Sequence, residues 1–128
     1  AFLGAGRATD AERTLKAMRA AAADTGDNAY MTRKIGLPLA EAFIAFEAGR
    51  YAECVDKIAA TRGVAQRFGG SHAQRDVLSL TAMHAALRGG MASTAEAFAA
   101  ERLAHKPQSP WAGRLARQAR ELSAQRAA

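Results

Sequence analysis

The residues best equipped for chemistry in this chain sit in one hexapeptide, Ser71-His72-Ala73-Gln74-Arg75-Asp76. His72 and Asp76 stand four apart, so on a helix they share a face and can touch. A hydrolytic set would also need a nucleophile oriented by that histidine. Ser71 and Ser79 are the nearby hydroxyls, and neither carries a sign of activation. Two other uses fit the segment. At the start of a groove-lining helix, His72, Arg75, Asp76 and Ser79 would face a bound peptide. Alternatively Ser71 and Gln74 cap the helix, while Arg75 and Asp76 tie it to a neighbour by ion pairs.

Metal and cofactor chemistry lack the required spacings. His72, His84 and His105 are far apart, no two stand at i, i+3 or i, i+4, and no Cys-x-x-Cys occurs. His84 falls on an apolar stripe with Leu80 and Leu87, the setting of a hydrogen-bonded core histidine. Cys54, the single cysteine, lies among Tyr51, Val55 and Ile58 and reads as a small buried thiol. It permits no internal disulfide and points to a reducing, cytoplasmic compartment. Gly4-Ala5-Gly6 follows no strand, and no glycine-rich loop leads into Lys-Ser or Lys-Thr. No run of about 18 apolar residues marks a membrane span. The expectation is a chain that is not an enzyme, with no catalytic residue, no metal and no cofactor.

Charge is distributed unevenly. Residues 1–101 hold 12 basic and 11 acidic groups, whereas residues 102–128 hold six basic groups against Glu121 alone. Arg114, Arg117 and Arg120 recur every three residues within half of a helix surface. They are candidates for nucleic acid or an acidic partner. No aromatic platform interleaves them, so a solvated helix is the simpler reading.

What must position these residues is helix. Nearly half of the 128 residues are apolar, aromatics are few and alanine is abundant, and alanine costs least to fix in a helix. Three segments share one punctuation mark: Gly6-Arg7-Ala8-Thr9-Asp10-Ala11, Gly49-Arg50-Tyr51-Ala52-Glu53-Cys54 and Gly89-Gly90-Met91-Ala92-Ser93-Thr94-Ala95. Glycine ends one helix in the left-handed conformation, and a small residue about five positions on lets the next pack close. The glycines recur at 43 and 40 residues, with one residue of ambiguity in the third turn. Thr9-x-x-Glu12, Ser71-x-x-Gln74 and Ser93-x-x-Glu96 fit capping boxes, and Ser109-Pro110 fits an N-cap with proline at the first helical position.

The expected hairpins span residues 1–23, 29–62 and 72–105, within one domain over 1–128, and a capping helix spans 110–124. The helix from about Ala29 to Ala48 should be disturbed at Gly36-Leu37-Pro38. Gly63 to Gly70 reads as a connector whose Val64 and Phe68 dock on the core. Val77, Leu80, His84 and Leu87 form one apolar stripe, flanked by Leu78, Ala82 and Ala85. Trp111, Leu115 and Leu122 give the last helix a single apolar face, as a terminal cap requires. Ala1-Phe2-Leu3-Gly4 reads as a cut boundary of a longer protein rather than a signal peptide, leaving residues 1–5 as the stub of a helix. Phe2 and Leu3 at that stub would favour self-association.

The segment from Gly36 to Pro110 resembles the tetratricopeptide repeat protein 38-like family. The residues that carry the resemblance are Gly36-Leu37-Pro38-Leu39-Ala40-Glu41-Ala42, Gly49-Arg50-Tyr51 and above all Gly69-Gly70-Ser71-His72-Ala73-Gln74-Arg75-Asp76-Val77. Glu101-Arg102-Leu103-Ala104 with Pro107 and Ser109-Pro110 also looks like it. The resemblance implies a right-handed alpha-alpha superhelix of antiparallel hairpins and the C-terminal part of a longer repeat protein. It implies no activity. The repeat intervals exceed the usual 34 residues, and Cys54 and Thr94 (or Ala95) occupy the position usually held by alanine.

The expected function is binding of a protein or peptide in the groove of the inner helices, with Phe43, Phe46, Ser79 and Met83 as floor residues. Nucleic-acid or acidic-partner binding through the basic last helix is the alternative, and a purely structural cap of a larger repeat protein is the third.

Overall fold

The computed structural model describes residues 2–65 and 72–127, with side chains at 2–65 and 76–125. The elements in order are a 3-10 turn Leu3–Ala5, α1 Ala8–Ala23, α2 Asp27–Met31, a π-helical segment Thr32–Gly36, α3 Leu37–Glu47, α4 Tyr51–Ala65, α5 His72–Arg88, α6 Ala92–His105 and α7 Pro110–Ala127. Among the described residues there is no strand, and no helix is long and apolar enough to cross a membrane.

The three glycine marks are three copies of one turn. Gly6, Gly49 and Gly90 have φ of 69°, 74° and 69°. Each glycine N–H donates to the carbonyl three residues back, and the next residue's N–H donates five back. The pairs are Gly6 to Leu3 with Arg7 to Phe2, Gly49 to Phe46 with Arg50 to Ala45, and Gly90 to Leu87 with Met91 to Ala86. This double bond satisfies carbonyls that a helix end leaves open. The ambiguity in the third turn resolves to Gly90, and Ala95, fully buried like Cys54, takes the close-packing position. Gly89 serves space instead: a Cβ there would lie 3.0 Å from Tyr51 Cβ and 3.1 Å from the Ala85 carbonyl oxygen. Gly90→Ala should therefore cost about 1–2 kcal/mol from left-handed strain, while Gly63→Ala, in open space within α4, should gain up to about 1 kcal/mol. Urea unfolding of the two variants checks both signs.

Several local expectations are corrected. The turn closes so quickly that α1 and α6 begin at Ala8 and Ala92, one residue before Thr9 and Ser93, and neither side chain caps its helix. Asp10 instead accepts from Arg7 Nε at 2.7 Å, and Glu96 accepts from the Ser123 hydroxyl. Ser71 and Phe68 lie outside the described residues. Ser109 does cap α7, accepting from the Ala112 N–H at 3.3 Å. Residues 3–5 form a 3-10 turn rather than the end of an α-helix. Helix α4 runs through Gly63 to Ala65, because one helical glycine costs only about 1 kcal/mol and Ala65 is buried. Val64 points to solvent rather than into the core.

The disturbance near Pro38 is a π turn. Proline has no N–H to offer, and the Leu37 N–H reaches back five residues to the Thr32 carbonyl. Helix α1 packs on this segment: Gly36 lies against Met18, and Arg33 donates to the Ala22 carbonyl at the end of α1. Arg19 and Lys57 both pair with Glu41, joining α1, α3 and α4. Those hydrogen bonds, Lys57 foremost, hold the Glu41 carboxyl below its ordinary range against the opposing effect of burial.

Consecutive helices pack on one another from α3 to α7, and α5 also touches both α3 and α7. Fourteen of the 20 buried apolar residues described are alanines, so the helices meet nearly backbone to backbone. Ile58 and Met83 are the largest fully buried side chains. The Thr61 hydroxyl, also buried, donates to the carbonyls of Lys57 and Ile58.

Candidate functional site

Helix α5 distributes its side chains over three flanks, and these decide what each surface can do. At about 100° per residue, Leu78, Ala82 and Ala85 form one flank. They enter or pack against the core cluster of Ala42, Ala45, Cys54 and Ile58. A second flank carries Val77, Leu80, His84, Leu87 and Arg88. A third carries Asp76, Ser79 and Met83.

The second flank is partly open. Val77 is 49% exposed, whereas Leu80, His84 and Leu87 are half-buried and the two leucines pack against the core clusters, so the stripe expected to be core is half core and half edge. It is continuous with both neighbours. The Arg88 guanidinium lies 5.1 Å over the Phe46 ring of α3, and the His84 ring lies 5.5 Å from the Trp111 ring of α7. Phe43 and Phe46 are half-buried, and Phe46 meets Tyr51 edge to face at 5.7 Å. Burial, with Arg88 adding to it, pushes His84 below its ordinary value and favours the neutral ring.

The third flank faces α6. Met83 is 1% exposed and packs with Ala99, Leu115 and Ala116, so it cannot touch a ligand; its place as a floor residue is overturned. Ser79 lines a small cleft between α4, α5 and α6 together with Arg62, Asp76, Phe98, Glu101, Arg102, His105 and Lys106. Asp76 receives both terminal nitrogens of Arg102, and Lys106 Nζ at 3.2 Å. Arg102 in turn stacks 5.2 Å over Trp111. Arg62 pairs with Glu101 across α4 and α6. Asp76 thus ties two helices together, as the structural reading of its motif expects.

The structure therefore separates the candidates. Phe46 meets the α5 flank, Phe43 is half-buried on α3, Asp76 and Ser79 line the cleft, and Met83 joins neither. The side chains of His72 and Arg75 lie outside the described residues. Arg114, Arg117 and Arg120 are exposed on α7, where helical spacing sets Arg120 about 180° from Trp111 and Arg114 about 60° from it. Sequence reasoning missed Arg62, Phe98, Glu101 and His105, which belong to helices too distant in the chain for spacing to unite. It counted Arg102 and Lys106 as tail charge, although Asp76 engages both. Cys54 is fully buried, and desolvation, with Glu53 adding, pushes its thiol up, away from nucleophilic use. Among the described residues no three His, Cys, Asp or Glu side chains cluster as metal ligands. No family model matches the chain, and no solved structure matches it.

Proposed function

We propose that the chain is a tetratricopeptide-like, right-handed superhelix of helical hairpins closed by α7, and that it binds a peptide segment of a protein partner along the open side of α3, α5 and α7. One observation carries the reading. Contacts from Phe46 through Arg88 and from His84 to Trp111 join three helices into one half-exposed, largely apolar edge. The repeated turn at Gly6, Gly49 and Gly90 supports the hairpin stack. The outward arginines of α7 support its role as a cap, since no further helix would pack on them. Function by this route is a matter of the surface and not of the fold alone.

The test is selection of a random peptide library on the chain. Peptides chosen by the native chain should bind Val77→Glu about tenfold more weakly or worse, because a carboxylate would have to be desolvated against an apolar anchor. Val77 is half-exposed, so the variant should still fold. Arg117→Glu should bind the same peptides normally. Peptides that ignore Val77→Glu and respond to Arg117→Glu would move the site to the basic helix.

A further inference from the structure

We propose that the cleft between α4, α5 and α6 is a binding site for a phosphate group, free or carried as a monoester. Three permanent cations, Arg62, Arg102 and Lys106, meet two carboxylates, Asp76 and Glu101, around this cleft. The pairings leave positive charge in excess. Arg102 engages both oxygens of Asp76, and Lys106 shares Oδ2, the oxygen that one Arg102 nitrogen already holds at 2.9 Å. Lys106, with 56% of its side chain exposed, is thus a second cation on a carboxylate that Arg102 already neutralises. Arg62 gives one terminal nitrogen to Glu101 and lies 5.1 Å over the Phe98 ring, which fixes its plane.

Glu41 also holds two cations where three helices join, so a shared carboxylate alone marks no site. Around Asp76 the described side chains bring three cations against two carboxylates, and they line a recess. Among the described residues, the groups other than the carboxylates that bring polar hydrogens to it are guanidinium, ammonium, the His105 imidazole and the Ser79 hydroxyl, and they arrive from three helices. That set suits a tetrahedral, acceptor-only oxyanion better than a planar carboxylate with two oxygens. Asp76 and Glu101 oppose any anion, but both are paired, and they hold Arg102 and Arg62 in place. The cleft lies on a different flank of α5 from the peptide edge, and although Trp111 touches both, Val77→Glu and Lys106→Gln tell the two apart.

Trp111, the single tryptophan, lies beneath Arg102 and reports on this site by its fluorescence. Inorganic phosphate and, in a second arm, glycerol 3-phosphate would be titrated at fixed ionic strength, with chloride as the exchanged ion. The expected result is a saturable change in emission, matched by calorimetric heat. Lys106→Gln and Arg62→Gln should each raise the dissociation constant about tenfold, the loss of one charge-assisted contact. Lys106→Arg and Arg117→Gln should leave it within about twofold. Saturation by both ligands assigns the site to a phosphoryl group, and saturation by inorganic phosphate alone assigns it to the free ion. Absence of saturable fluorescence and heat overturns the proposal. So does an unchanged constant in both glutamine variants, with circular dichroism showing each folded.

Discussion

Asp76→Ala should lower folding stability by about 2–3 kcal/mol, seen as an earlier urea midpoint at unchanged slope. The loss comes from Arg102 rather than from the aspartate itself. The Arg102 side chain is only 11% exposed, and its Nε is buried without a hydrogen-bond partner among the described residues. Without the carboxylate it keeps the desolvation cost of its charge and loses the two contacts that offset it. Asp76→Leu combined with Arg102→Met removes both charges and should cost less than the single change. If the double variant were the weaker of the two, packing rather than pairing would dominate the seam. The pH dependence gives an independent check. Hydrogen bonds from Arg102 hold the Asp76 carboxyl below its ordinary value of 3.8, with burial opposing and Lys106 adding to the depression. A depressed carboxylate contributes stability above that value and loses it as pH falls towards the folded-state value. Below about pH 4 the alanine variant should therefore lose stability less steeply than the native chain.

Ala82→Leu should cost about 3 kcal/mol, measured by thermal unfolding. Ala82 is fully buried in the same cluster as Ala42, Ala45 and Ala85, where the small side chain sets the distance between helices. Leucine forces that seam apart or takes a strained rotamer, and every helix stacked on α5 must adjust. Ala97→Leu on the exposed side of α6 should stay within about 0.5 kcal/mol of the native chain. A neutral result at Ala82 would mean that the seam has slack and that alanine does not set its spacing.

The same alanine core explains what could and could not be read from the residues. Turns were legible because Gly6, Gly49 and Gly90 meet a steric demand that few other residues satisfy. A disturbance of the helix was legible at Pro38, though not its π form, and the cap was legible at Ser109-Pro110. Facing was not legible on α5. Its two apolar stripes look alike in sequence, yet only the small side chains of one, Ala82 and Ala85, are fully buried, while Leu80 and Leu87 of the other pack half-buried on the core and Val77 is exposed. Close packing selects the smaller residues for the interior, so side-chain size misleads about burial in this chain. Met83, expected on the groove floor, is buried instead. The cleft was illegible for a different reason: Arg62, Asp76 and Glu101 meet only after three helices have docked.

The π turn at Thr32–Gly36 makes the helix from Asp27 to Glu47 a rod of two joined segments. Its hydrogen bond from Leu37 to Thr32 encloses one residue more than an α-helical turn, as though a single residue had been inserted without breaking the helix. That residue turns the halves by about 100° relative to each other. Ala29 is buried before the turn, Ile35 within it, and Ala42 and Ala45 after it. Removing one residue from the turn would restore regular bonding and misalign the two burial faces. The irregularity is therefore a joint between two registers, tolerated because it lets one rod serve two neighbours.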